Sequence, residues 1–374
     1  MAIPLKVLHV VTSLEPGGME NGVVNMTRAL EPRGIEMHIA CLERRGAFAE
    51  RLPVPERVEV MGKQNGFSGK AVGRLAREIS RVEPAIVHTH NLGPLIYSSL
   101  ATVFGLRCPL VHGEHSQLTP EERQPRRLRQ RRWLYRACRK VHTVSQGIQD
   151  ELLALGFSPN RITLVTNGVD TGRFCPGDRS AARMALGVPR DATLVGVVGR
   201  FGPFKRHDVL LDAFEQLAAE NESLHLLIAG GGGSEEGRIT QRVRESVLQP
   251  RIHLTGFRQD PLPCYQALDL LAVPSVNEGL SNAALEAMAC AIPVLANVGC
   301  GHEQVIRTGT DGVIADLNSP EALSRQIRAL LENRGALEEA GRRGRQTVET
   351  RFSLKAMADA YERLYRNAAN PALN

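Results

Sequence analysis

The chain has 374 residues, 43% of them hydrophobic and 23% charged, with a formal net charge of +6. That length exceeds what one hydrophobic core usually organises, so two domains are expected, and no apolar run approaches the roughly 18 residues that a membrane-spanning helix needs. Seven cysteines (Cys41, Cys108, Cys138, Cys175, Cys264, Cys290 and Cys300) are an odd number with no C-x-x-C pair, which excludes a disulfide framework or a structural zinc cluster as the organising device.

Short apolar runs rich in Val, Ile and Leu alternate with longer amphipathic stretches from one end to the other. This is the pattern of parallel strands covered by helices on both faces, so the expected fold class is α/β and doubly wound. The opening stretch, MAIPLKVLHVVTSLEPGG, carries one lysine and a short apolar run without a small-residue cleavage site. It reads as a first buried strand over 6–12 rather than a secretory signal, and implies a cytoplasmic protein. Gly17, Gly18, Met19 and Glu20 then open a helix with no side chain in the way, so the loop can approach a phosphate or sugar while Glu20 accepts hydroxyls. The G-x-G-x-x-G fingerprint is absent here, and Gly230 to Gly233 fails it because position 235 is Glu; a dinucleotide-dependent dehydrogenase is disfavoured.

Further strands are predicted over 37–42, 58–60, 85–90, 109–113, 141–145 and 161–166. His88 and His90 in AIVHTH share one face of their strand, and His115 follows Glu114 at the end of the next. Three histidines invite a metal reading, but structural zinc normally shows closer ligand spacing, so no metal ligand is assigned. His115 is expected to present a neutral imidazole to a sugar hydroxyl. Arg123 to Lys140 (RQPRRLRQRRWLYRACRK) holds nine basic residues and no acidic one, and setting it aside leaves 37 basic residues against 40 acidic. The basicity is therefore local. With Trp133, Leu134 and Tyr135 inside it, this segment can rest on anionic lipid headgroups or an anionic lipid-linked substrate, each basic residue contributing about 1 kcal/mol. A solvated helix face is the plainer reading, and no nucleic-acid motif accompanies it.

NGVDTGRFCPGDRS (167–180) is rich in Gly, Asp, Asn and Pro and reads as the linker between domains spanning 1–170 and 171–353, with a C-terminal helical segment, 354–374, joined to the first. The alternation restarts with strands over 193–199, 224–230, 251–256, 268–274, 292–296 and 312–315. Gly199 to Lys205 (GRFGPFK) places Arg200 and Lys205 in a glycine-rich turn, a sensible clamp for a diphosphate. Such cations stabilise the charge on a departing nucleoside diphosphate without reorganising. The chain contains no D-x-D pair to hold a divalent ion on that diphosphate, so metal independence is expected. In NEGLSNAALEAMA, Gly279 allows close backbone approach, and Ser281 or Asn282 caps a helix over 283–288. Glu278 and Glu286 then stand on either side of outward-pointing N–H groups, where each can accept a hydroxyl.

Taken in order, GGMEN, VHTHN, HGEHS, VSQGI, NGVDTGRF, GRFGPFKR, LLIAGGG, HLTGF and NEGLSNAALEAMACAIPVLA resemble a glycosyltransferase of the GT-B fold, and are most similar to the large retaining glycosyltransferase family four. The resemblance spans nearly the whole chain. GGMENGVVN with HGEHS further resembles the sugar transferases associated with bacterial exopolysaccharide systems. The resemblance implies two Rossmann-like domains facing across a cleft, Arg200 and Lys205 on the donor diphosphate, and Glu278 with the backbone of Gly279, Leu280 and Ser281 on the donor sugar and phosphate. It also implies Glu286 on the ribose hydroxyls, His115 near the reacting carbon, and Gly18 facing the donor phosphate. Glu20, Asn21 and Asn91 would lie toward the acceptor, and Phe257 and Arg258 in the loop that packs on the base. Two departures stand out. Ala291 replaces the family's usual Gly and is expected to tighten packing beside the donor, and CGHEQ (300–304) matches only loosely the usual turn before a Glu, leaving Glu303 without a role.

The expected function is transfer of a hexosyl unit from a nucleotide-diphosphate sugar, a UDP-sugar first, to a lipid-linked or growing glycan acceptor, with neither cofactor nor metal, at the inner face of the membrane. A non-catalytic sugar-nucleotide-binding partner subunit and a GT-B-type sugar-nucleotide epimerase are the alternatives.

Overall fold

A computed structural model describes residues 4–103 and 108–370. Its contacts divide into two units, one of Met1–Gly168 with Leu354–Asn374, the other of Val169–Ser353.

The first unit holds a sheet of β1 (Leu5–Ser13), β2 (Ile35–Arg44), β3 (Val58–Val60), β4 (Ile86–His90), β5 (Leu110–Glu114), β6 (Cys138–Thr143) and β7 (Ile162–Leu164) in the order β3-β2-β1-β4-β5-β6-β7. The second holds β8 (Thr193–Val198), β9 (Leu224–Ala229), β10 (Ile252–Gly256), β11 (Leu270–Val273), β12 (Val294–Asn297) and β13 (Val313–Ala315) in the order β10-β9-β8-β11-β12-β13. The ladders are parallel, as at β1–β4 and β8–β11. Strands form where the sequence places them, with shifted ends. β6 begins at Cys138 rather than 141, its half-buried Arg139 and Lys140 hiding the strand start from an apolar pattern.

Helices cover both faces of each sheet. The first unit contributes α1 (Gly18–Leu30), α2 (Gly69–Val82), α3 (Leu92–Val103), α4 (Pro125–Ala137) and α5 (Gln146–Ala154). The second contributes α6 (Arg179–Leu186), α7 (His207–Ala218), α8 (Glu236–Glu245), α9 (Leu262–Ala267), α10 (Asn282–Ala289), α11 (Pro320–Glu332) and α12 (Arg334–Arg351). The last helix, α13 (Leu354–Ala369), returns to the first unit, where Met357, Tyr361 and Tyr365 pack on Val7, Ile86 and Val111. Starts are capped by the expected chemistry: Ser68, Asp178, Ser281 and Ser319 each accept a backbone N–H of their own first turn.

Alternation builds two cores per sheet. In the second unit Leu194, Leu271 and Val273 meet α10 and α12, while Val195, Val197 and Ala272 meet α7 and α11. Both orders reverse direction beside the first strand, between β1 and β4 and between β8 and β11. At such a reversal the loops leaving the two strands diverge, and the carboxyl ends open a crevice where open α/β sheets hold ligands.

Candidate functional site

In the second unit the loop after β8 carries Arg200 and Lys205, and the loop after β11 carries Glu278. These leave the two strands that flank the reversal, and Lys205 Nζ touches Glu278 Oε1. Non-glycine residues in the left-handed region bracket the pair: Asn277 (φ +61) precedes Glu278 and Arg206 (φ +54) follows Lys205. Such backbone costs of order 1–3 kcal/mol and persists only where the surroundings impose it. Arg206 is held by two hydrogen bonds to Asn318, one to its side-chain oxygen and one to its carbonyl, at 2.8 and 2.7 Å, and Val276 N donates to the Phe204 carbonyl at 2.8 Å. Burial pulls the Lys205 ammonium down to about 8, which leaves it charged at neutral pH. The carboxylate against it acts in the opposite direction.

Glycines bring the neighbouring loops close. A Cβ at Gly230 would strike the Gly199 carbonyl, and one at Gly233 the Phe201 carbonyl, so the loop after β9 lies directly on the Arg200 turn. Phe201 N donates to Gly232 O at 2.9 Å and Gly230 N to Gly256 O at 3.1 Å. Arg200 is exposed, and Phe257 is 49% exposed beside Gly231. Arg258 is exposed too.

Gly279, Leu280 and Ser281 are buried in the turn before α10, whose first turn Ser281 caps through Ala284 N. That helix start presents backbone N–H groups beside the Lys205–Glu278 pair, a setting suited to an anion. Glu286 lies within α10, 8% exposed, and its Oε2 accepts from Tyr265 Oη at 2.6 Å, so one carboxylate oxygen is committed to the core.

Ala291 does not do what the sequence suggests. It stands at the opposite end of α10 from this turn, in the left-handed conformation (φ +58), where Ile292 N donates to Ala287 O at 2.9 Å. This is a helix C-terminus that favours glycine, and the Ala291 carbonyl lies so close to Gly341 of α12 that a Cβ there would collide with it. The departure from Gly acts through backbone strain, not donor packing. Glu303 also finds a role, since its Oε1 accepts from Gly299 N at 2.6 Å and closes the turn.

In the first unit Gly17 (φ −169) caps α1, and a Cβ there would collide with the Glu20 carboxylate folded back over it. Gly18 and Asn21 lie in the same first turn, Asn21 N donating to Gly17 O at 3.0 Å. Asn91 (φ +66) turns the chain after β4, with its N–H on Gly113 O at 3.1 Å.

His115 belongs to a larger array than the sequence suggests. Its Nε2 meets His90 Nδ1 at 2.9 Å, His90 Nε2 meets His9 Nδ1 at 2.8 Å, and His9 Nε2 reaches Tyr365 Oη at 3.4 Å. Tyr365 Oη meets His88 Nδ1 at 2.7 Å, and His88 Nε2 meets His142 Nε2 at 2.9 Å. Register produces this chain. His9 pairs with His88 on adjacent strands, and Gly113 lies between His90 and His142 in the ladder; a Cβ on Gly113 would sit 2.6 Å from His142 Nε2. Burial pulls His9 down to about 3 and His115 to about 4, and His88, His90 and His142 well below the ordinary 6.5. Among the described residues His9, His88 and His90 form the one group with ring nitrogens close enough for a metal, within 4.8 Å, yet both nitrogens of each already have hydrogen-bond partners in the chain.

The basic segment needs one correction. Arg131 of α4 is 1% exposed and bonds Glu114 and Glu122, with Tyr135 Oη also on Glu114. Burial pushes the Glu114 carboxyl up, but Arg131, His112 and Tyr135 outweigh it and hold the group at about 2. Six of the nine basic residues, Arg123, Arg126, Arg127, Arg129, Arg132 and Arg136, are exposed, beside Trp133 at 64% exposure, while Arg139 and Lys140 are half-buried.

Two family models match the chain, "Glycosyltransferase Family 4" over residues 16–173 and "Glycosyl transferases group 1" over 178–347. Among curated proteins, the D-inositol 3-phosphate glycosyltransferase of Mycolicibacterium gilvum is 31% identical over 83% of this chain and 67% of its own. The protein of that name from Geodermatophilus obscurus is 28% identical over 93% and 85%. Among solved structures, Anabaena Alr3699/HepE in complex with UDP and glucose superposes with a TM-score of 0.85 at 23% identity, covering 97% of this chain and 100% of that one. Sucrose-phosphate synthase from Thermosynechococcus elongatus gives 0.80 at 21% identity, covering 96% and 98%. At such identities the superpositions establish the architecture of two parallel-sheet units, the GT-B fold, and nothing finer.

Proposed function

Because the chain belongs to glycosyltransferase family 4, the group 1 glycosyl transferases, and is therefore a glycosyltransferase, we propose that it moves a hexosyl unit from a UDP-sugar to a lipid-linked or growing glycan acceptor, with retention of configuration and no divalent ion. The observation that carries this reading is the Lys205–Glu278 contact at the strand-order reversal of the second unit, beside the capped start of α10. Neutralisation of the diphosphate falls to Arg200, Lys205 and the backbone N–H groups at that helix start, including those after Gly279, Leu280 and Ser281. The Lys205–Glu278 pair holds the ammonium in place before the donor arrives; once the diphosphate engages Lys205, the Glu278 carboxylate is released to accept sugar hydroxyls. Glu286, which accepts from Tyr265, takes the ribose hydroxyls, while Phe257 and Arg258 pack on the base. His115, Gly18, Glu20, Asn21 and Asn91 of the first unit keep the roles that the family resemblance implies.

UDP as the nucleotide carrier is supported by solved structures of the same fold in complex with UDP and with UDP-glucose. The lack of a D-x-D pair favours protein cations over a metal. The six exposed arginines within 123–140 favour an anionic, membrane-associated acceptor in exopolysaccharide or cell-envelope synthesis on the cytoplasmic side. A second acceptor reading, a small polyol phosphate, is favoured by the name shared by relatives across most of this chain. Thermal stabilisation by a panel of UDP-, GDP- and ADP-sugars, with and without EDTA, tests the donor. We expect a UDP-hexose to raise the melting temperature equally in both conditions. Stabilisation by no member of the panel removes the donor reading, an EDTA-sensitive shift removes metal independence, and isomerised donor without acceptor points to an epimerase.

A further inference from the structure

The turn over 299–304 departs from the family pattern and holds a residue that the reading above leaves unused. Gly299 (φ +74) and Gly301 (φ +65) bend it sharply, and Glu303 closes it through Gly299 N. It is docked on the strand end before Glu278, where Cys300 Sγ donates to the Ser275 carbonyl at 3.2 Å and Asn297 Nδ2 to the same carbonyl at 3.3 Å. This docking drives His302 inward, with no exposed surface.

His302 Nε2 stands 3.9 Å from Glu278 Oε2. The Asn297 backbone lies close to the His302 ring, but neither ring nitrogen makes a hydrogen bond of normal geometry, and neither does that carboxylate oxygen, although all three atoms are buried. The other Glu278 oxygen is taken by Lys205. Leaving such groups unpaired is costly, and a group that arrives to complete them is one of the few reasons a native structure keeps them so. Burial pulls the imidazole down to about 4, so the ring is neutral at pH 7 and offers one N–H and one lone pair.

The gap selects its occupant. A separation of 3.9 Å is too long for a direct bond but leaves both atoms within reach of a single oxygen seated between them. An anion there would face the carboxylate, and a cation would face Lys205, so the group is neutral and able to donate. We propose that His302 is a specificity-determining residue for the donor: with Glu278 Oε2 it holds one hydroxyl of the transferred sugar, which donates to the carboxylate and accepts from the imidazole N–H. The inference rests on the donor-site reading above and adds to it the residue that discriminates among hexoses. A site built to pair a hydroxyl rejects an analogue that lacks it far better than an apolar pocket does.

The test compares affinities for UDP and UDP-glucose, by titration calorimetry, in the unaltered protein and in His302→Leu and His302→Gln, each checked for an unchanged melting curve. His302→Leu should weaken UDP-glucose by roughly ten-fold or more while leaving UDP within about two-fold, and His302→Gln, which keeps a donor, should recover part of the loss. UDP-glucose analogues lacking one hydroxyl at a time add a cycle: one analogue should lose affinity in the unaltered protein and lose nothing further in His302→Leu. Equal weakening of UDP and UDP-glucose would assign His302 to packing alone, and additive losses for every analogue would overturn the shared hydroxyl. Binding of neither UDP nor UDP-glucose by the unaltered protein would instead overturn the UDP-sugar reading on which the role depends.

Discussion

Acidification from pH 7 to pH 5 should unfold the first unit well before its carboxylates titrate. Four imidazoles, those of His9, His88, His90 and His142, have no exposed surface and are held neutral by burial. In the unfolded chain each recovers an ordinary value near 6.5. Their folded values are depressed, so above 6.5 both states are neutral and nothing is lost; as pH falls below 6.5 only the unfolded state gains protons. Each imidazole that stays neutral down to pH 5 then costs about 2 kcal/mol of stability, from the unfolded-state titration alone. Four together cost about 8 kcal/mol, with His115, which is partly exposed, adding less. This is comparable to the whole stability of a typical domain, about 5–15 kcal/mol. Urea unfolding at pH 7, 6 and 5, followed by circular dichroism and by the fluorescence of Trp133, the single tryptophan, measures the slope. Between pH 6 and 5 it should approach 5 kcal/mol per pH unit, or about four protons. A change below about 2 kcal/mol across the range from 7 to 5, the effect of one proton-binding group, would show that the chain of histidines is open to water or already protonated. Glu114 acts in a separate window: its contribution is complete above its ordinary 4.5 and is lost as pH falls toward about 2.

Lys205→Ala or Glu278→Ala should lower the rate of sugar transfer by about 10²- to 10³-fold, the scale of losing one pre-placed charge-stabilising group, with the circular dichroism spectrum unchanged. Undiminished transfer by either variant removes the clamp. Ala291→Gly should stabilise the second unit by about 0.5–1 kcal/mol, because the left-handed conformation costs Ala about 1–2 kcal/mol and glycine's greater unfolded entropy returns part of that. The melting temperature should then rise by about 1–4 °C, and a fall would mean that the Ala291 methyl packs better than its backbone is strained. The exposed basic face of 123–140 should sediment with anionic but not neutral vesicles and release as salt rises; equal binding to both vesicle types refutes an electrostatic contact.

Much of this protein is legible along the chain because it depends on neighbours in sequence. Strand and helix follow from local periodicity, the helix starts from Ser68, Asp178, Ser281 and Ser319, and the strand-end loops from glycines needed for close approach or positive φ. Arg200, Lys205, Glu278 and Glu286 could be nominated for the same reason, since each sits in a turn or helix start recognisable from its own few residues.

The contacts that give those residues their properties are long-range, and only the tertiary structure decides them. Lys205 and Glu278 are 73 positions apart and meet because strand order reverses between β8 and β11. His9, His88, His90, His142 and Tyr365 come from three strands and the final helix, and periodicity within any one of them says nothing of their register across the sheet. Arg131 looks like one cation among nine until packing places it on Glu114, and His302 looks like a loop residue until its turn docks on Ser275 and removes it from water. Local pattern determines which elements form and what each can offer; burial and pairing, set by where distant segments meet, determine which of those groups is charged, strained or left waiting for a ligand.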